Sequence, residues 1–332
     1  MNKILLSIVF ALILLSCNSS KESTKSTVSI PEKFTANLDT NPSFKVFELK
    51  EFYKDTILLG LIDIALKNNY DLKTAISNIE KSKAQFKERR FSLFPSLGIN
   101  TGAGVQRFGD YTVDGVGNYD ANLSPNVFGD RVLPNPVPDY LIGFESRWEV
   151  DLWGKLRNLK KSALANFMAN AENKKAVQSI LIAQVATQYY TLLALDKKLA
   201  IAQFNSQLQF KVLDLVKTLK EGGRSNELAV KQVQAQYLNT LSLEKQLERE
   251  ILEIENNLNV LLGRFPTTIN RAKEFTTDDF VYDLKMGVPS KLIANRPDIK
   301  QLELYLKASK ADVNAARAAF LPSLNIGVFM GV

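Results

Sequence analysis

Tyr140-Leu141-Ile142-Gly143-Phe144-Glu145-Ser146-Arg147-Trp148-Glu149-Val150-Asp151-Leu152 is the stretch on which the fold turns. On an extended chain, Tyr140, Ile142, Phe144, Trp148, Val150 and Leu152 share one face, and Ser146 is its polar exception. Gly143, Glu145, Arg147, Glu149 and Asp151 share the other, with Leu141 as the apolar exception. Successive side chains of a strand point to opposite faces. Tyr140–Leu152 therefore reads as a strand with lipid on one side and water on the other, the pattern of a transmembrane barrel. Glu145, Arg147, Glu149 and Asp151 are expected to face the lumen. An amphipathic strand of a soluble sheet also alternates, but this length, these aromatics and this density of charge favour the barrel.

Upstream, Leu97–Arg107 alternates more weakly, with Leu97, Ile99, Ala103 and Val105 on one face and Gly98, Asn100, Gly102, Gly104 and Gln106 on the other. Between the two strands, Phe108–Asp139 is rich in Gly, Pro, Asn and Asp and shows no helical period, so it reads as a long loop. Long loops lie on the outer side of outer-membrane barrels. One hairpin has open edges that hydrocarbon cannot satisfy, so closure requires strands from other chains.

Downstream, Trp153-Gly154 leads directly into Lys155–Glu221, a run without Gly or Pro that is rich in Ala, Leu, Lys, Gln and Glu. As one helix it would be roughly 100 Å long. Gly222-Gly223 stops it. Ser225 or Asn226 can cap a second helix, with Glu227 in its first turn, running to about Leu262. Apolar residues at Val230, Val233, Tyr237, Leu241, Leu247, Ile251, Ile254, Leu258 and Leu261 give it coiled-coil spacing.

Asn68–Ile99 aligns without a gap onto Asn295–Ile326, and both segments end in Pro-Ser-Leu-x-Ile: Pro95-Ser96-Leu97 to Ile99, and Pro322-Ser323-Leu324 to Ile326. The expected unit is a helix (about Asp71–Arg90), a strand, a long loop, a second strand and two long helices. Leu324, Ile326, Val328, Met330 and Val332 repeat the strand alternation. The second copy is expected to stop partway, at Val332. The expected divisions are a leader 1–16, a tether and linker 17–55, a first repeat 56–289, and an incomplete second repeat 290–332.

Lys3 followed by the apolar Ile4–Leu15 reads as a secretory signal, too short to span a membrane as a helix. It ends in Leu14-Leu15-Ser16-Cys17, which resembles a lipobox, and the polar Asn18–Thr27 follows. Cys17 is thus the expected site of lipidation, where acyl chains contribute roughly 0.8 kcal/mol per buried CH₂. Cys17 is the sole cysteine and the chain has no histidine. That removes a disulfide, a thiolate metal cluster and the commonest general base, so neither a metal nor a cofactor is expected. The net charge is +7, but Lys and Arg are interspersed with acidic residues, which argues against nucleic acid.

Trp148-Glu149-Val150-Asp151-Leu152-Trp153-Gly154-Lys155-Leu156-Arg157 resembles the strand-to-helix signature of TolC-like outer-membrane factors, in particular their NodT-type lipoprotein branch. Leu261-Leu262-Gly263-Arg264-Phe265-Pro266 resembles the end of that branch's first repeat. Arg296-Pro297-Asp298-Ile299, Glu303 and Ala318-Ala319-Phe320-Leu321-Pro322-Ser323 resemble the start of its second. The resemblance covers about Thr56–Val332. It implies an α+β membrane protein, a homotrimer whose helical coiled-coil tunnel crosses the periplasm and continues into an outer-membrane β-barrel. Two structural repeats per full-length chain would supply the strands.

The resemblance also implies a passive efflux conduit in the outer membrane of a Gram-negative bacterium, working with a periplasmic adaptor and an inner-membrane RND-type pump, and no enzyme. Gly222, Gly223, Arg224 and Ser225 match the helical tip that meets the adaptor, although Ala229 stands where the family often has Asp. The same sequence also fits the outer-membrane channel of a type I protein secretion system, or a structural periplasmic coiled-coil lipoprotein. Glycosidase chemistry at Glu145 and Glu149 does not fit: four residues of strand put them roughly 13 Å apart, beyond either glycosidase geometry.

Overall fold

The computed structural model describes residues 49–272 and 293–332. The chain divides into two compact units. Of the first, Met1–Lys45 with Lys285–Ile293, only Ile293 is among the described residues. The second is Val46–Leu284 with Ala294–Val332, and it holds every element named below. The leader, Cys17 and Asn18–Thr27 lie outside the described residues.

Folded structure begins inside the segment expected to be linker. A short helix α1 (Leu49–Phe52) precedes α2 (Thr56–Asn68) and α3 (Tyr70–Phe91). Asp55 caps α2, its carboxylate accepting the N–H of Ile57 at 2.7 Å and of Leu58 at 3.3 Å. Asn69 ends one helix and starts the next. Its N–H donates to the Ala65 carbonyl, and its Oδ1 accepts the N–H of Leu72 at 3.0 Å.

Strand β1 (Ser96–Gln106) follows, then β2 (Val137–Val150), the long helix α5 (Lys155–Glu221), α6 (Glu227–Leu261), α7 (Pro297–Ala319) and β3 (Leu324–Gly331). The connection between β1 and β2 is not free of helix. Val113–Asn122 is α-helical, and we label it α4 here, ahead of α5 in the chain. Its two glycines hide any helical period, but Thr112 caps it by accepting the N–H of Gly115 at 3.1 Å. The side chain of Asn122 then ties its end to Leu133, with Nδ2 donating to the carbonyl at 3.0 Å and Oδ1 accepting the N–H at 2.8 Å. Helix formation here rests on caps and a tertiary tie, which periodicity cannot reveal.

The core lies where α2, α5 and α6 meet. Leu58, Ile62 and Ala65 pack with Val185, Tyr189 and Leu192 and with Leu258 and Leu262, all essentially buried; Ile269 closes it. Nearer the sheet, α5 packs against α7. The buried positions of α7 are all alanine, at Ala308, Ala311, Ala315 and Ala318. Those in the first part of α5 are also small, at Ser162, Ala165, Ala169 and Ala176, apart from Leu156. Spacings of three and four between small residues bring helix backbones close together along a seam.

The three strands form one antiparallel sheet in the order β1-β2-β3. The register pairs Ile99 with Phe144 and Ala103 with Tyr140, and Trp148 with Ile326 and Phe144 with Met330. Directly opposed residues share a face. Leu97, Ile99, Ile142, Phe144, Trp148, Ile326, Val328 and Met330 thus make one apolar face across all three strands. Hydrogen bonds between Ile142 and Val332, at 2.8 and 2.9 Å, extend the ladder past β3.

Candidate functional site

The second face of the sheet carries the charge. Glu145 is opposed by Gly98 and Phe329, Arg147 by Ser96 and Gly327, and Glu149 by Asn325. Gly98, Ser96 and Gly327 leave room beside Glu145 and Arg147, while Phe329 flanks Glu145 on its other side. Arg147 and Glu145 form an ion pair along the strand, and Lys155 of α5 reaches back to Glu149 at 2.5 Å. A Cβ on Gly143 would lie 2.5 Å from the ring of Phe329 and 2.9 Å from the Cα of Gly331, so any larger residue would displace both. Phe329, Leu141 and Val137 are the apolar residues on this face.

Asp151 has a different role from the one its place in the alternation suggested. The strand ends at Val150, not Leu152, so Asp151 is not a strand residue. Its carboxylate accepts the N–H of Leu156 at 3.0 Å and of Arg157 at 2.9 Å, and the Arg157 guanidinium at 3.0 Å. It caps the start of α5 from outside, where an anion also meets the positive end of the helix dipole. Burial acts to raise its pKa, but the Arg157 and Leu156 N–H groups and the Arg157 guanidinium outweigh it. The carboxyl titrates below the usual carboxylate range. Gly154 takes φ +79°, a left-handed turn suited to glycine. The sequence Asp-Leu-Trp-Gly-Lys-Leu-Arg thereby turns a strand into a helix within four residues.

Both tryptophans brace this junction. The indole N–H of Trp148 donates to the Leu93 carbonyl at 3.1 Å, before β1, and that of Trp153 to the Pro322 carbonyl at 2.8 Å, before β3. Their aromatic character was legible in the sequence; their acceptors, 55 and 169 residues away, were not.

At the other end of α5, Gly222 and Gly223 close the helix and Asn226 caps α6, accepting the N–H of Ala229 at 2.9 Å. Lys220 and Glu227 bridge the turn. The hydrogen bond and charge of Lys220 hold the Glu227 carboxyl below its ordinary value. Gly222, Gly223 and Arg224 are exposed and Ser225 half-buried, so the four expected tip residues lie together on one short turn. A further tie, missed by sequence reasoning, joins the helix pair to the segment after it: Arg271 pairs with Asp196 of α5 and Glu255 of α6.

Residues 61–264 and 288–332 match the outer membrane efflux protein family. The chain belongs to this family. The solvent efflux pump outer membrane protein SrpC of Pseudomonas putida is 30% identical over 283 residues, covering 85% of this chain and 57% of SrpC. The cation efflux system protein CusC of Escherichia coli is 25% identical over 327 residues, covering 97% of this chain and 66% of CusC. The chain thus spans about 57% of the length of SrpC and of the toluene efflux protein TtgI. Among solved structures, the outer-membrane channel OprN superposes with a TM-score of 0.73 at 25% identity, covering 93% of this chain and 66% of OprN. The Campylobacter jejuni CmeC outer membrane channel superposes with 0.74 at 19% identity, covering 93% and 64%. The fold of this efflux family member is that of outer-membrane channels.

Proposed function

We propose that this chain is a subunit of a passive outer-membrane conduit that carries small molecules from an inner-membrane pump to the cell exterior. One observation carries the proposal. A sheet with a largely apolar face, interrupted by Ser146 and Thr101, and a charged, glycine-lined face runs through Gly154 directly into an extended helix pair. Lipid suits the first face, an aqueous lumen suits the second, and the helices continue the passage away from the membrane. Among the described residues no helix is long and apolar enough to cross a membrane.

In this reading Glu145, Arg147 and Glu149 line the lumen, while Asp151 braces its rim. The outer edges of β1 and β3 would leave unpaired N–H and C=O groups in hydrocarbon, at several kcal/mol each. Closure into a barrel by copies of the chain, as a homotrimer, removes that cost. The matching segments Asn68–Ile99 and Asn295–Ile326, each a helix leading into a strand on opposite sides of β2, fit two repeats around a pseudo-symmetric wall. The turn Gly222–Ser225 meets a periplasmic adaptor, and an RND-type pump supplies the cargo. Lipidated Cys17 holds the chain to the outer membrane. The conduit needs no catalytic residue, metal or cofactor.

Deleting the gene in its native host tests the function: accumulation of a hydrophobic fluorescent dye should rise and should return to normal on complementation. Unchanged accumulation of a broad dye and antibiotic set would sink the efflux reading. Cysteine scanning tests the faces, with the Cys17 sulfur blocked by its thioether-linked lipid. Glu145→Cys should react with a membrane-impermeant thiol reagent in intact cells and Ile142→Cys should not; the reverse pattern would overturn the lumen assignment.

A further inference from the structure

The segment between β1 and β2 forms a cleft open to solvent of about 440 Å³, lined by Phe108, Asp110, Asn118, Tyr119, Asn122 and Asn135 among others. That volume lies in the lower part of the range for small-ligand sites, about 300–1,000 Å³. Side-chain hydrogen bonds fix its walls on two sides. The hydroxyl of Thr112 donates to the Gly109 carbonyl at 2.7 Å and accepts the N–H of Gly115 at 3.1 Å. The chain crosses itself so closely there that a Cβ on Gly115 would lie 2.0 Å from the Gly109 carbonyl oxygen. On the opposite side, Asn122 holds Leu133 by both of its amide atoms. A connection that merely joined two strands needs no such bracing, whereas a preformed site lowers the ordering cost of binding.

The lining has a definite chemistry. Asn122 is committed to Leu133, but the side chains of Asp110, Asn118 and Asn135 make no hydrogen bond among the described residues and keep their full capacity. Tyr119 is 68% exposed, and its ring offers an apolar face with a hydroxyl at its tip. Among the described residues no Lys or Arg lines the cavity, which disfavours phosphates and carboxylates. Amides and a carboxylate that can pair with hydroxyls, next to a free aromatic face, suit a ligand with many hydroxyls and an apolar C–H face. We propose that this cavity binds a neutral saccharide of one or two hexose rings. The proposal stands on the cavity alone; only its placement at the cell exterior rests on the conduit reading.

The test is saturation-transfer NMR on the full chain in a sugar-free detergent, with maltose, cellobiose, lactose and chitobiose as probes and 1,5-diaminopentane as a cationic control. At least one disaccharide should receive saturation. Tyr119→Ala should abolish the transfer, and Asn118→Ala should weaken binding by about tenfold, as expected for loss of one well-placed polar contact. Tyr111→Ala, outside the lining, should change nothing. Circular dichroism confirms that each variant keeps its helicity. Should Tyr119→Ala lose it, the Asn118 variant decides. Silence from every disaccharide, binding that both cavity variants leave intact, or binding of the diamine alone would each overturn the proposal. Repeating the titration with the active sugar on a lipid in nanodiscs separates the sources: tighter binding assigns an outer-leaflet glycolipid, equal or weaker binding a free saccharide. A failed efflux test with saccharide binding retained would remove the conduit reading and leave this site standing.

Discussion

The C-terminal ends of α5 and α6 carry the same hydrogen bonds in different surroundings. At α5, the N–H of Arg224 donates to the Leu219 carbonyl at 2.8 Å and that of Gly223 to Lys220 at 2.9 Å; at α6, Arg264 donates to Asn259 at 3.1 Å and Gly263 to Val260 at 3.0 Å. Both glycines are left-handed, at φ +72° and +65°. This is the paired closure that satisfies orphan carbonyls at a helix end. A Cβ on Gly223 would meet nothing within 4 Å, whereas a Cβ on Gly263 would lie 2.5 Å from the Asn68 carbonyl oxygen. The same local code thus serves an end tied into the core and an end left open. Local sequence stops a helix, and its surroundings decide whether the stop is structural or free to meet a partner.

The largest expected effect sharpens that contrast. Gly263→Ala combines left-handed strain of about 1–2 kcal/mol with displacement of the Asn68 backbone. It should lower stability by about 3 kcal/mol or more, within the range that cavity and strain mutations reach. Gly223→Ala meets only the strain, about 1–2 kcal/mol. Thermal unfolding of the full chain in detergent, followed by helical circular dichroism, measures both. Equal losses would mean that the two ends are not distinguished by packing.

The caps should rank the same way. Asn69 is buried, and its Nδ2 also reaches the Leu261 carbonyl at 3.0 Å, joining the start of α3 to the end of α6. Asn69→Ala leaves buried groups unpaired and should cost about 1–3 kcal/mol. Asn226→Ala removes an exposed cap and should cost about 0.5–1 kcal/mol. A larger loss at Asn226, by the same unfolding assay, would break the comparison.

Much of this was legible in the sequence, and the boundary of legibility has a physical basis. Alternation over Tyr140–Leu152 identified the strand and its faces because a period of two survives in any sheet. Gly222-Gly223 marked the helix stop because backbone chirality makes glycine the usual left-handed residue. Asp151 misled because it continues the alternation by one position while bonding forward into α5. Helix α4 escaped because its stability lies in Thr112 and in the Asn122–Leu133 tie. Asn69 with Leu261 and Arg271 with Asp196 escaped because no local pattern encodes partners so far apart in the chain.

Alkali should weaken the base and spare the tip. The Tyr189 hydroxyl donates to Asp55 beside the core. Burial, then that hydrogen bond, push its pKa well above the usual value, about 10 for a tyrosine. A pKa raised on folding contributes stability that is complete below the unfolded value and is lost as pH rises through the folded one, because the unfolded chain gives up a proton that the folded chain keeps. Unfolding midpoints should therefore fall as pH climbs past about 10, and Tyr189→Phe should flatten that fall. An unaltered slope in the variant would show that the Tyr189–Asp55 bond does not anchor the base.

Acid acts at the opposite end and on the smallest scale. Lys220 lowers the pKa of Glu227 through its hydrogen bond and its charge, and Lys231 adds a second contact at 3.6 Å. A pKa lowered on folding contributes stability that is present above the ordinary glutamate value, about 4.3, and is lost as pH falls through the folded value. Both Lys220 and Glu227 are well exposed to solvent, and water screens such pairs heavily, so global unfolding should not register the loss. Local opening should. In native-state hydrogen exchange at pH 6, Glu227→Gln should speed exchange of the Gly223 and Arg224 amides and leave Asn69 and Arg264 unchanged. If the effect spread to Asn69 and Arg264, the open tip and the packed base would be one cooperative unit, and the difference in packing around their glycines would not separate them in stability.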